Sequence, residues 1–243
     1  MEVIVLGVIS VLTSLIAGVV GIGGGLLLIA ILPNFLPVSA LIPVHGFTQM
    51  FSNVSRAYFG YKDIQFEVVP KFLFGSLLGV GTIALILDMI SIEYIPLFIG
   101  TYILLSLWSS KFNDKIKKYE NYYLIGFLQS GLSVVVGATG PLTTTLLLKD
   151  YQDKDKVVST AALLMSITHL LKVLVFVYFG FKFSEYLDII VVMVIGVIIG
   201  SYLGTKLRDK VEGKKLLFTL KVLLTLLAVK LIGTVFYSTG LIL

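Results

Sequence analysis

The chain has 243 residues but no cysteine, one tryptophan and two histidines. Without cysteine there is no disulfide, no thiol nucleophile and no cysteine metal ligand. Charge is scarce too. Asp, Glu, Lys and Arg make up 14% of the chain, against roughly a quarter in a soluble domain. No polar stretch is long enough to fold as a soluble domain of its own, and no nucleotide-binding segment is present. Met1-Glu2 is not a basic n-region and no small-residue cleavage site follows the first apolar run, so no cleavable signal peptide is expected.

What is abundant is hydrocarbon. Hydrophobic residues make up 57% of the chain, and the mean hydropathy is +1.01. Several apolar runs approach or exceed the roughly 20 residues needed to cross a bilayer. The expectation is an all-α polytopic membrane protein, multi-pass in the cytoplasmic membrane, with the lipid bilayer as its main partner. The net charge of +5 is explained by lysines at the cytoplasmic ends of spans and requires no nucleic acid.

The organising stretch is Gly21-Ile22-Gly23-Gly24-Gly25, set between the apolar runs 3–20 and 26–36. Glycine disfavours a helix interior by about 1 kcal/mol relative to alanine. In lipid a broken backbone also strands N–H and C=O groups, so a break survives only inside protein or beside a wet cavity. A half-helix beginning there would aim its free N–H groups and positive dipole end at the cavity. The competing reading is a glycine packing seam. A second break, Gly137-Ala138-Thr139-Gly140-Pro141, repeats the first.

The repeat extends further. Gly21, Gly24 and Leu26 align with Gly137, Gly140 and Leu142. After four extra residues in the second half, Ser39, Thr48, Gln49 and Tyr58-Phe59-Gly60 align with Ser159, Thr168, His169 and Tyr178-Phe179-Gly180. This predicts one membrane domain made of a first repeat over 1–110, a cytoplasmic linker over 111–121 and a second repeat over 122–243. If each broken element crossed the membrane, the loop cations would divide evenly between the two sides. If each dips in and returns, the cations fall on one side, from Arg56, Lys62 and Lys71 through the linker lysines, Lys149, Lys154 and Lys156 to the basic stretch 206–215. Lys182 alone lies opposite. The positive-inside rule selects the second arrangement. It has two inverted repeats, each a re-entrant helical hairpin plus three transmembrane helices, a recurring transporter plan. The run 3–20 is long enough to cross alone, so its dip is expected to be tilted or partial. In the helix expected over 40–60, Pro43 is placed in the first turn, where proline is tolerated.

That helix has a polar face. His45, Thr48, Gln49, Ser52, Asn53 and Arg56 fall within about 140° of arc. Its counterpart at 157–179 carries Thr168, His169 and Lys172, with Lys172 near mid-span. Polar groups there face a bundle interior or a water path. The plain alternatives are hydrogen bonds to neighbouring helices, snorkelling by Arg56 and Lys221, and back-bonding of Thr144 and Thr145 to their own helix. Lys230, inside the last span, has no partner readable from sequence. Neither a broken element nor a polar face carries a carboxylate, which suits an anion rather than a metal cation. The substrate-binding set expected on this basis is Gly21, Gly23, Gly24, Gly25, His45, Gln49, Asn53, Arg56, Thr139, Gly140, Thr143, His169 and Lys172, with no metal and no cofactor.

The first glycine break with its following apolar run, the second Gly-x-x-Gly-Pro break, the duplicated halves and the length resemble the sulfite exporter TauE/SafE family, also called the 4-toluene sulfonate uptake permease family. The resemblance spans nearly the whole chain. The second motif departs from the first, with Ala138-Thr139 where the first half has Ile22-Gly23. The resemblance implies ATPase-free transport of sulfite, a sulfonate or a similar small sulfur-containing anion, with export as the expected direction. Two alternatives stay open: a transporter of an unrelated small anion, and a membrane-embedded enzyme using His45 or His169. Against the enzyme, the chain has no Gly-x-Ser-x-Gly and no His-Glu-x-x-His. Whether the chain forms a homo-oligomer is also open.

Overall fold

The computed structural model describes residues 1–109, 111, 121–208, 210–211 and 213–238. Most of the linker expected over 111–121 lies outside the described residues. The described chain forms α1 (Glu2–Val20), α2 (Gly24–Ile31), α3 (Val38–Phe59), α4 (Val69–Ala84), α5 (Ile95–Trp108), α6 (Tyr122–Val136), α7 (Gly140–Asp150), α8 (Lys154–Tyr178), α9 (Leu187–Leu207) and α10 (Gly213–Ser238), joined by short 3-10 turns. No strand occurs among the described residues. The protein is an all-α polytopic membrane protein. Among the described residues, five stretches are long and apolar enough to cross a membrane: Glu2–Val20, Phe66–Ala84, Lys154–Tyr178, Phe183–Leu207 and Leu216–Tyr237. The 22-residue α3 is long enough as well, but its polar face keeps it out of that apolar set.

Small residues decide which helices touch. A side chain at Gly196, Gly200 or Gly204 of α9 would run into the backbone of α1. Likewise a side chain at Gly75 or Gly79 of α4 would run into the backbone of α6. Without a hydrophobic drive between helices in lipid, such close backbone approach supplies the van der Waals contact. In chain order, α1 and α6 open the two halves, and α4 and α9 occupy matching places within them. Each half therefore lends its opening helix to the other. Both pairs run parallel: Gly7 faces Val192 and Gly18 faces Gly204. The remaining matched helices pack on each other in antiparallel fashion. Gly46 of α3 lies against Lys172 of α8, and Gly60 lies against Ser159. In the α5–α10 pair, Gly100 lies against Ala228 and Trp108 Nε1 donates to Thr225 Oγ1 at 2.9 Å.

Both broken elements fold back on themselves. Gly24 packs on Thr13 and Ala17 of α1. In the second half, Thr143 N donates to the Gln129 side chain at 3.1 Å. The turns use left-handed backbone at Gly21 (φ 88°), Gly23 (φ 91°) and Gly137 (φ 80°), a region open to glycine at no steric cost. The short α2 is buried nearly all round, with Leu28 and Ile29 fully enclosed by α5, α10 and the second break. The break is thus surrounded by protein, the condition lipid imposes.

Four readings from sequence are sharpened or changed. The run 3–20 does not break part-way. It is one unbroken 19-residue helix lying along α9, about 28 Å at 1.5 Å per residue, and only the return leg α2 is short. Pro43 is not in a first turn. α3 begins at Val38, so Pro43 is inside the helix, where its missing N–H leaves a carbonyl one turn earlier without an intrahelical donor. Lys221 does not snorkel freely, since its Nζ lies 3.8 Å over the Trp108 ring. Lys230 does have a partner, Asn34 Oδ1 at 2.5 Å.

Candidate functional site

The two breaks meet near the middle of the bundle. Between them is a small cavity of about 20 Å³ lined by Ala17, Gly21–Leu26, Gln49, Arg56, Ala138, Gly140, Pro141, Met165 and His169. It has room for about one water molecule. Of the residues expected from sequence, Gly21, Gly23, Gly24, Gly25, Gln49, Arg56, Gly140 and His169 line it.

The others stand one step back. His45 Nε2 donates to the Gly25 carbonyl at 3.0 Å, and its ring meets that of His169 edge-on at 5.7 Å between centroids. Lys172 is fully buried, and its Nζ donates to the Gly137 carbonyl at 2.6 Å. The two polar helices α3 and α8 thus each hold a carbonyl beside one of the breaks. Asn53 is committed, giving Nδ2 to the Gln49 carbonyl at 2.7 Å and taking Arg56 Nη2 on Oδ1 at 2.7 Å. It orients Arg56 and does not face the cavity. Arg56 does not snorkel, being 4% exposed.

The two half-helix N-termini are not equivalent. At α7, Pro141 has no N–H, Leu142 N donates to Thr139 O at 3.1 Å and Thr143 N goes to Gln129 Oε1. Thr139 Oγ1 donates to Gln129 O at 2.9 Å, and the Thr143 hydroxyl donates to Gln129 Oε1. The protein caps this terminus itself, so the Thr139 and Thr143 hydroxyls are not turned to the cavity. Thr144 and Thr145 bond back to Gly140 O and Pro141 O. At α2 no side chain caps the first turn. Among the described residues no acceptor is seen for the N–H groups of Gly24, Gly25 and Leu26. Among the described residues the first break thus keeps three N–H groups without an acceptor, and the second keeps that of Gly140.

Three further polar atoms at the cavity-lining residues have no partner: Gln49 Nε2, Arg56 Nε and His169 Nδ1, all buried. Unpaired buried donors cost about 1–3 kcal/mol each, so an array of them on one cavity marks a place for an acceptor. Charge agrees. The buried charged side chains among the described residues are Arg56, Lys172 and Arg208, and no carboxylate is buried. The described residues hold no cluster of metal-ligating side chains.

Sequence reasoning missed Gln129, Met165 and Arg208. Gln129 was a lone amide in an apolar run and could have been flagged as one. Met165 occupies the place in the second half that His45 has in the first. Arg208 gave no signal, because it reads as one more loop cation in a basic stretch.

Two broken helices meeting at a buried cavity inside an all-α membrane bundle is a recurring plan of membrane transporters. The family model described as "Sulfite exporter TauE/SafE" matches residues 6–231, and the chain belongs to that family. No curated protein and no solved structure matches the chain.

Proposed function

We propose that the chain is a secondary transporter or facilitator that carries a small sulfur-containing oxyanion, sulfite or a sulfonate, outward across the cytoplasmic membrane. The observation that carries this is the set of unpartnered donors on one buried cavity: the α2 N–H groups, Gln49 Nε2 and Arg56 Nε, with Lys172 behind them and no buried carboxylate among the described residues. An oxyanion supplies acceptors and negative charge at once. Gly21, Gly23, Gly24, Gly25, Gln49, Arg56, Gly140 and His169 form the substrate surface, and His45, Asn53 and Lys172 hold it in shape and charge.

The halves act as inverted repeats, a reading supported by the antiparallel packing of α3 on α8 and of α5 on α10. On this reading the basic residues of the loops fall on one side of the membrane, which the positive-inside rule makes cytoplasmic. The cavity is smaller than an oxyanion, so this conformation is closed, and transport proceeds by opening it to one side and then the other. Outward movement of an anion runs down the electrical gradient. At about 150 mV this is worth roughly 3.5 kcal/mol per charge, so no ATPase is required.

The test is flux of labelled sulfite in proteoliposomes under an imposed potential. Flux that speeds up when the potential drives anions across, with no chemical change in the sulfite, supports the reading. Flux indifferent to the sign of the potential defeats the uncoupled mechanism, and a chemically altered product would favour a membrane enzyme.

A further inference from the structure

Three serines lock α1, α3 and α9 together below the cytoplasmic end. Ser14 Oγ is 2.6 Å from Ser52 Oγ and 2.8 Å from Ser201 Oγ, and Ser201 Oγ donates to Ser52 O at 3.0 Å. Helical periodicity carries the same three faces onward. One turn past Ser14 is Gly18, one turn past Ser52 is Arg56, and two turns past Ser201 is Arg208. The next layer of this junction therefore holds two arginines. Arg56 is 4% exposed and Arg208 3%; Arg56 lines the cavity beside Ala17 and Gly21, and Arg208 bonds the carbonyl of Gly18 between them in the chain.

Their hydrogen bonds are incomplete. Arg208 Nε donates to Gly18 O at 3.0 Å, and Nη1 pairs with Asp155. Arg208 Nη2 and Arg56 Nε have no partner. Among the described residues, the carboxylate paired with Arg208 is Asp155, whose side chain is 46% exposed. Two buried guanidinium groups with like charge, two spare donors and one half-solvated counter-ion are short of one anion. A guanidinium fork fits a planar or tetrahedral oxyanion on two oxygens at once.

We infer that Arg56 and Arg208 form a second oxyanion site, placed between the cytoplasm and the central cavity, at which the anion displaces Asp155 from Arg208. This deepens the transport reading and rests on it for the identity of the ligand. Arg56 belongs to both stations, since it also lines the cavity, and so hands the anion on. Displacing Asp155 leaves Lys154 Nζ on the Arg208 carbonyl, at 3.3 Å, as the remaining polar contact described between the N-terminus of α8 and the end of α9. Arrival of substrate thereby loosens the contact that closes the cytoplasmic side. The ligand is a free oxyanion rather than a lipid phosphate, because both guanidinium groups are buried and a headgroup tethered in the bilayer plane would have to enter the bundle.

The experiment titrates sulfite and sulfate onto purified protein in nanodiscs of zwitterionic lipid and, in parallel, of anionic lipid. Two binding steps are expected in the wild type. Arg208→Gln weakens one step about tenfold. Asp155→Asn removes the competitor and tightens the same step severalfold, an effect opposite in sign to any loss of folding stability. Lys172→Gln weakens the other step and leaves the arginine step in place. If Arg208→Gln and Asp155→Asn both leave binding unchanged, or both weaken it, the pair is only a structural ion pair and the inference fails. If the arginine step is already filled in anionic lipid, the site belongs to a headgroup and the inference fails. If the arginine step behaves as expected while Lys172→Gln binds like wild type, the central site is wrong and this one stands.

Discussion

Lys172 Nζ lies 2.6 Å from the carbonyl oxygen of Gly137, on a side chain with no exposure at all. A lysine at mid-span costs about 2.5–3.5 kcal/mol to insert. One hydrogen bond from a charged group returns about 1.5–3 kcal/mol. The ammonium is nearly balanced by the break it supports.

Replacing that lysine should separate stability from binding. Lys172→Gln is expected to weaken anion affinity by about 1–3 kcal/mol. Lys172→Met should melt at the same temperature as wild type or higher, because an apolar side chain of similar length removes a buried charge, and should bind anion poorly. Thermal unfolding with and without sulfite measures both. A Lys172→Met protein with full anion stabilisation would take the lysine out of the site.

Neighbouring glycines should respond differently. A methyl at Gly24 would collide with Thr13 O and Ala17 of α1. Gly24→Ala is therefore a packing defect, expected to lower the melting temperature by several degrees, consistent with about 1–3 kcal/mol of overpacking. A methyl at Gly25 would sit 3.2 Å from Gln49 Oε1 and 3.8 Å from His45 Nε2. Gly25→Ala is expected to fold normally and lose flux. If Gly25→Ala transports like wild type, the first turn of α2 is not the substrate surface.

Gln129 ties the second break together through Thr139, Thr143 and Thr168, whose Oγ1 accepts Gln129 Nε2 at 3.2 Å. Gln129→Leu keeps the volume and strands the Thr143 N–H and hydroxyl. The expected loss is about 1–3 kcal/mol for each stranded buried group, read as a fall in melting temperature. Unchanged stability would show that α7 can cap itself another way.

Sidedness can be read by cysteine labelling, which the cysteine-free chain makes simple. Single cysteines at Asn113 and Asp153, on the two sides of the second broken element, should share one labelling pattern in intact cells, and one at Lys182 should show the opposite pattern. Labelling of 113 and 153 from opposite sides would end the re-entrant arrangement.

Composition and hydropathy alone determined that this is a helical membrane protein, since little else can satisfy backbone groups in lipid. The sequence also displayed the two glycine breaks, the polar faces of α3 and α8 and the duplication, because each is a pattern of residue type at short spacing. Pairing was not legible: glycines at four-residue spacing, as at Gly75 and Gly79 or Gly196 and Gly200, name no partner. Only the tertiary structure decided that α1 packs along α9 at full length and that α4 takes α6. It alone showed that Thr139 and Thr143 are spent on Gln129, leaving α2 as the more open helix end. Arg208 became a buried partner of Gly18 and Asp155, residues far away in the chain. The physical reason is the same in each case. A residue's type limits what it can bond, whereas which bonds remain unmade depends on neighbours brought in by folding.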